Sequence, residues 1–288
     1  MDKLSLFFES WDFFCDAALT GAVAGALLGA LGVTIVLGRT VFLSAALSQV
    51  ASAGVALAIW IGLGAPTFFS LGMTLVVLCL SSWALQRSPH PDGILAALYI
   101  GGCGSTVLIG TQIVHELQDI QALLVGNAVL VEREDFQILI VLTVMCLGIL
   151  VYGRRAFDVA AFWPTMGRVR GVPIKGINVL RFLILTIAIT YTTRLMGALP
   201  VFALSCLPAL AARPAPNVRA MFWIALVLGA LAGFVGYVAA FVGDFPVGPT
   251  QAVVALLFVV ISRLGVILYR AVYRISHFVS HPTQEHAP

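Results

Sequence analysis

The sequence predicts an all-α protein, a polytopic transmembrane helical bundle of about eight to nine spans. Two observations predict this class. Of the 288 residues, 60% are hydrophobic and 10% are charged, whereas a soluble domain carries about 25% charged residues. The apolar residues also fall in runs of roughly 18 to 25, which as helices are long enough to cross a hydrocarbon core of about 30 Å.

Nine apolar runs are candidate spans, and the connections between them are too short to hold a soluble domain. Residues 17–272 therefore form a single membrane domain. Residues 1–16 are an acidic lead-in without the basic start of a cleavable signal peptide, and residues 273–288 are a polar tail. The seventh span is short and crosses only part of the bilayer. The spans are predicted over residues 17–38, 41–63, 65–85, 93–114, 136–153, 177–196, 198–212, 218–242 and 250–272.

The positions of arginine and lysine predict the orientation, because cytoplasmic loops carry an excess of both residues. The most basic loop lies between spans five and six and includes Arg154, Arg155 and Lys175. If that loop is cytoplasmic, the other basic connections fall on the same side. The N-terminus then lies outside and the C-terminus lies in the cytoplasm, which requires an odd number of spans.

Glycine stripes in spans one and eight predict close helix packing. Glycines about four residues apart share one helix face and let neighbouring backbones approach each other. This pattern indicates a bundle and not a substrate site. The stripes consist of Gly21, Gly25, Gly29 and Gly32 in span one, and Gly229, Gly233 and Gly236 in span eight.

The missing motifs exclude several functions. The chain has no Gly-x-x-x-x-Gly-Lys-[Ser/Thr] phosphate loop, so any ATP drive must come from another subunit. It has no His-Glu-x-x-His and no Gly-x-Ser-x-Gly, and we expect no enzymatic activity and no cofactor. The net charge of +3 is modest, which leaves a nucleic-acid partner without support. Most ion-coupled secondary transporters have carboxylates buried in their spans, and the predicted spans of this chain have none. An ion-coupled secondary transporter remains the alternative function.

Few ionisable residues lie inside the predicted spans, and each is a functional candidate because a charge in lipid is costly. Arg181 and Arg194 lie near span ends, where long side chains reach the interface. Arg263 lies deeper, where it lines a polar pathway, makes a structural pairing or marks a shorter span. Two clusters of polar residues are candidate divalent-metal sites, but we interpret both as solvated polar segments. They are His115, Glu116 and Asp119, and the tail residues His277, His281 and His286.

Several motifs in a fixed order resemble the membrane permeases of the ABC importers for zinc, manganese and iron(II). The likeness runs from about residue 14 to residue 268. The run AALSQVASAGVAL from Ala45 resembles the second-helix signature of that family, and LLVGN from Leu123 resembles its short outer segment. The remaining matches are Gly171, Val172 and Pro173 followed by Asn178, RLMG from Arg194, CLPALAA from Cys206 and DFPVGPT from Asp244.

The resemblance implies a permease subunit of an ATP-driven importer of divalent transition metals, located in the bacterial inner membrane. It also implies three partners: a second copy or a paralogue with the pathway at the interface, a cytoplasmic ATP-binding subunit, and an extracytoplasmic metal-binding protein. Residues 155–176 would form the coupling segment for the ATPase. The implied pathway residues are Ser48, Gln49 and Ser52, and the implied coupling residues are Asp158, Met166, Arg168, Gly171 and Pro173.

The sequence departs from the family pattern at the metal site. Where the family has a metal-contacting Asp this chain has Ala45, and where it has a His this chain has Gln49. An amide oxygen is a poor substitute for imidazole as a zinc ligand. Three explanations stay open: a pathway with weak polar contacts only, a degenerate half of a heterodimer, or an ABC permease for a non-metal substrate.

Overall fold

The computed structural model describes residues 11–87, 91–112, 131–162, 169 and 173–280. Within these ranges the regular structure is entirely α-helical, which confirms the predicted class. The ten helices are α1 Trp11–Leu37, α2 Val41–Ile61, α3 Pro66–Arg87, α4 Pro91–Gly110, α5 Arg133–Tyr152, α6 Arg154–Phe162, α7 Ile174–Met196, α8 Ala198–Ala211, α9 Val218–Gly243 and α10 Val247–Ser280.

Seven of the described helices are long and apolar enough to cross a bilayer, namely α1, α2, α4, α5, α7, α9 and α10. Helix α3 is apolar over Pro66–Leu80, which is the part of the helix whose side chains the structure describes. Helix α8 has 14 residues and rises only about 21 Å, less than the roughly 30 Å of a hydrocarbon core. The chain is therefore a multi-pass membrane protein, and the predicted count of about eight to nine spans stays a prediction.

Two helix ends lie furthest from the predicted boundaries. Helix α1 begins at Trp11, inside the predicted lead-in, and α10 continues to Ser280, inside the predicted polar tail. Neither stretch contains a glycine or a proline, so nothing in the local sequence ends the helix at the edge of the apolar run. Hydropathy marks where a helix leaves the lipid and not where it stops.

The closest helix pair is α1 with α9, along the glycine stripes. A Cβ atom added to Gly25 would lie 2.8 Å from the carbonyl carbon of Gly229, and one added to Gly229 would lie 2.9 Å from that of Gly25. Only hydrogen atoms fit between these backbones. The predicted close packing is confirmed, because residues larger than glycine would force the two helices apart.

A single apolar core joins the described helices. Each of the ten helices contributes at least one buried side chain to the same cluster. The contributors include Ala24, Leu43, Leu78, Leu95, Leu139, Phe157, Ile184, Leu204, Phe222 and Ala255. This shared core ties the short helices α6 and α8 to the long spans.

Several of the basic residues lie at one end of the bundle. Leu37 at the end of α1, Arg154 at the start of α6 and Val218 at the start of α9 line one small cavity, together with Arg181. Ser262 of α10 donates a hydrogen bond of 2.6 Å to the carbonyl oxygen at the end of α8. The loops that the sequence assigned to one side of the membrane thus meet at one end of the structure.

Candidate functional site

Helix α2 carries the predicted pathway residues and is the most deeply buried of the span candidates. In its most apolar stretch 83% of the residues are buried, against 67% for α1. Ser44, Ser48 and Ser52 are fully buried, and Gln49 is 7% exposed. Residues four apart lie on one helix face, so the serines form a polar stripe through the bundle with Gln49 beside it.

Gln49 is the unusual member of this group. Its Oε1 atom is buried and accepts no hydrogen bond from the described residues. A buried acceptor without a partner costs about 1–3 kcal/mol, so such groups are rare in native proteins. Ala45, one turn earlier, is 3% exposed. The two positions where the family resemblance implies metal ligands are thus side by side in the interior.

Helix α4 touches α2 at this point. A Cβ atom added to Gly102 would lie 2.8 Å from the carbonyl carbon of Gln49 and 2.9 Å from the amide nitrogen of Val50. Glycine at this position lets the backbone of α4 rest directly on the backbone of α2. Small shifts between these two helices therefore act directly on the surroundings of Gln49.

Helix α3 covers another side of α2. The Ser70 hydroxyl donates a hydrogen bond of 2.7 Å to the carbonyl oxygen of Ala51. A Cβ atom on Gly54 would meet Ser70 at 2.9 Å from its Cα atom. These contacts hold the polar stripe of α2 between α3 and α4, so the stripe lies inside the bundle.

A hydroxyl and thiol cluster extends the stripe towards α8. The Ser205 hydroxyl donates to the Ser44 hydroxyl at 3.3 Å, and both oxygens lie 3.5 Å from the Cys206 sulfur. Sequence reasoning did not select these residues as site residues. Signals for them were present, since Ser44 precedes Ser48 by four residues and Cys206 begins the CLPALAA run.

An ion pair lies at the end of the bundle opposite the arginine-rich end. Arg194 of α7 lies 3.2 Å from a carboxylate oxygen of Asp135 in the first turn of α5. The Tyr191 hydroxyl donates to the same oxygen at 3.2 Å. The expectation that Arg194 only reaches towards the interface is incomplete, because the packing of α5 against α7 brings a carboxylate within bonding distance.

The other predicted intramembrane arginines have separate surroundings. Arg181 lies 4.9 Å above the ring of Phe182. Arg263 is exposed on the outer face of α10, so it points away from the core of this chain. It does not join the polar stripe of α2.

The predicted coupling segment is described in part. Helix α6 packs on the bundle through Phe157 and Ala160, which are both buried, while Arg155 is exposed. Pro173 is exposed and precedes α7 as its N-cap residue. Met166, Arg168, Gly171 and the side chain of Asp158 lie outside the described residues, as do the side chains of both histidine clusters.

The donor atoms near α2 are oxygens with one thiol. The described part of the chain contains no group of three or more His, Cys, Asp or Glu residues that could hold a metal ion. Imidazole and thiolate are the commonest zinc ligands, whereas carbonyl and other oxygen ligands suit manganese and other hard cations. The described donor atoms of the stripe are hydroxyl and amide oxygens.

The helical bundle, with seven candidate spans among the described residues, defines the class of protein as a multi-pass membrane protein. The profile of the ABC 3 transport family matches residues 10–265. The chain belongs to this family. It is a translocation subunit and not an enzyme, and ATP hydrolysis takes place in a separate subunit.

Individual relatives support the same assignment. The chain is 23% identical over 261 residues to the manganese transport system membrane protein MntC of Halalkalibacterium halodurans, covering 88% of this chain and 89% of the relative. It is 22% identical over 254 residues to the high-affinity zinc uptake system membrane protein ZnuB of Haemophilus influenzae, covering 88% and 97%. The structure of PsaBC from Streptococcus pneumoniae in complex with Fab matches the fold with a TM-score of 0.81 at 20% identity, covering 90% and 94%.

Proposed function

We propose that this chain is the membrane-spanning permease subunit of an ATP-driven importer of divalent transition metal ions in the bacterial inner membrane. The observation that carries the proposal is the buried polar stripe of α2 with the unpartnered Oε1 atom of Gln49. This stripe occupies the position of the second-helix signature to which the resemblance assigns the metal contacts. The manganese and zinc systems named among the relatives support a metal as cargo.

In this proposal Ser48, Gln49 and Ser52 form the substrate pathway. Ser48 donates to the carbonyl oxygen of Ala45 at 2.9 Å, which leaves its oxygen lone pairs able to face a passing ion. Gln49 supplies an amide oxygen that no described residue occupies. Oxygen ligands without imidazole or thiolate are typical of manganese sites, whereas zinc sites use imidazole and thiolate, so we propose manganese as the preferred ion.

The absence of an acidic or imidazole ligand at positions 45 and 49 fits a pathway of weak contacts. It equally fits a pairing with a paralogue that supplies the stronger ligands across the interface. Both arrangements use two permease chains with the pathway between them. They differ in whether this chain alone, as a homodimer, transports the ion.

The cytoplasmic partner docks, in this proposal, on the segment 155–176 at the basic end of the bundle. Helix α6 is anchored by Phe157 and bends away from α5 at Gly153, whose N–H donates to the carbonyl oxygen of Ile149 at 2.8 Å. A movement of the docked ATPase would therefore reach the core directly through α6. The extracytoplasmic binding protein would meet the opposite end, where Asp135 and Arg194 pair.

Transport by reconstituted vesicles tests the proposal. Vesicles would contain this chain with its ATP-binding subunit and binding protein, and uptake of radioactive manganese, iron and zinc would be measured with and without ATP. We expect ATP-dependent uptake that is highest for manganese. Uptake that follows a proton or sodium gradient without ATP would support an ion-coupled secondary transporter. ATP hydrolysis stimulated by a non-metal substrate would support an ABC permease for a non-metal substrate.

A charge reversal tests the coupling segment. We expect Arg168→Glu to abolish co-purification of the ATP-binding subunit, because it reverses the charge of a residue in the segment on which the ATPase is proposed to dock. Arg213→Glu is the matched control, since Arg213 is an exposed arginine at the same end of the bundle, outside the segment 155–176. Equal retention of the ATPase by both variants would contradict the docking site.

A further inference from the structure

An open recess of about 580 Å³ lies at the basic end of the bundle, outside the polar stripe of α2. It is bounded by the end of α5, the start of α6 and the start of α9. Three arginines line it, Arg154, Arg155 and Arg219, together with the aromatic residues Tyr152 and Trp223. The described residues that line the recess thus include three guanidinium groups and no carboxylate.

A smaller cavity adjoins this recess and shares three of its residues, Leu150, Arg154 and Phe222. Arg181 lines the smaller cavity, so a fourth guanidinium lies close to the same space. Val33 and Leu37 of α1 line the smaller cavity as well. In the recess itself the arginines lie beside the apolar side chains of Leu150, Val151 and Phe222.

Apolar faces lead from the recess along the two neighbouring helices. Helices α5 and α9 both pack on α1. Val144 and Val151 are exposed on one face of α5, and Trp223 and Val227 are exposed on one face of α9. Tyrosine and tryptophan side chains are enriched at the level of lipid headgroups. The recess therefore lies where the hydrocarbon region ends.

We propose that this recess binds the headgroup of an anionic phospholipid, with the acyl chains along the exposed faces of α5 and α9. The phosphate would be held by Arg155 and Arg219, since guanidinium groups bind phosphate oxygens with paired hydrogen bonds. Basic pockets between transmembrane helices are known to take anionic headgroups. The site is independent of the transported ion, and it places a lipid against α6, the helix proposed to meet the ATPase.

The first measurement needs no variant. The full-length chain, purified in detergent, would be titrated with phosphatidylglycerol and with phosphatidylethanolamine and examined by native mass spectrometry. We expect phosphatidylglycerol to bind at least tenfold more tightly, and equal binding of the two lipids would overturn the proposal. Inorganic phosphate is the third ligand: competition by phosphate at the concentrations at which the lipid binds would show a small-anion site and overturn the lipid assignment.

The second measurement assigns the site. Each basic residue near a membrane surface contributes about a fivefold gain in affinity for an anionic lipid, so Arg155→Gln combined with Arg219→Gln should weaken phosphatidylglycerol binding about 25-fold. Arg213→Gln is the control and should change binding less than about twofold, because Arg213 does not line the recess. Unchanged affinity in the double variant would refute the site.

Replacing Trp223 with a photocrosslinking amino acid distinguishes a lipid from a protein as the occupant of the recess. In the assembled transporter we expect it to capture phosphatidylglycerol. Capture of the ATP-binding subunit in place of lipid would show that the recess is a subunit interface and would overturn the proposal.

Discussion

Replacing Gln49 with methionine should separate stability from transport. Methionine has nearly the length and flexibility of glutamine, so Gln49→Met leaves no large cavity between α2 and α4. It removes a buried Oε1 atom that accepts no hydrogen bond from the described residues. An unsatisfied buried acceptor costs about 1–3 kcal/mol, so the free energy of unfolding should rise by about 1 kcal/mol.

Transport should change in the opposite direction. If the amide oxygen contacts the passing ion, its loss removes roughly one charge-assisted interaction of about 1.5 kcal/mol, which corresponds to about a tenfold lower uptake rate. The assays are unfolding of the purified chain in a denaturing detergent and ATP-dependent metal uptake by vesicles, normalised to the amount of folded protein.

The matched control is Gln251→Met in α10. Gln251 is also buried, and its Oε1 atom also lacks a described partner. Its Nε2 atom, however, donates a hydrogen bond of 3.0 Å to the carbonyl oxygen of Gly233. In this variant the loss of that hydrogen bond and the removal of the unpaired Oε1 atom offset each other, so its stability should change by less than about 1 kcal/mol and its uptake rate per folded molecule should not change. If Gln49→Met likewise keeps its uptake rate per folded molecule, Gln49 is not a pathway residue and the reasoning is wrong.

Three further substitutions test the packing. Gly102→Ala should lower the free energy of unfolding by about 1–3 kcal/mol and slow uptake, because its Cβ atom would lie 2.8 Å from the backbone of Gln49. Gly101→Ala is the control and should be neutral in the same assays, since its Cβ atom would meet nothing within 4 Å. Gly25→Ala should lower the unfolding free energy by a similar amount through α9, and stability equal to that of Gly101→Ala would show that α1 and α9 are not in backbone contact. Arg194→Gln should cost about 1 kcal/mol, and a double-mutant cycle with Asp135→Asn should show that the two losses are coupled.

Much of the architecture follows from local sequence features. A run of apolar residues crosses a membrane wherever it occurs, and glycines four apart share a face in any helix. The helical class, the multi-pass character, the common end of the basic residues and the glycine contact of α1 with α9 are therefore readable from the chain. The serine stripe of α2 was readable for the same reason, as its spacing alone puts it on one face.

Other features depend on which helices meet, and no local pattern reports that. Asp135 and Arg194 are separated by 59 residues, and only the packing of α5 against α7 makes them an ion pair. Gly102 has a role only because α4 lies across Gln49.

The recess of arginines shows the same division between sequence and tertiary structure. The sequence shows that Arg155 and Arg219 lie at the ends of apolar runs, and this predicts that both lie at the membrane surface. Their convergence on one recess was decided by the tertiary structure, since α5 and α9 both pack on α1 and bring two distant helix ends together. Composition and period are properties of one segment, whereas a site is a property of several segments at once.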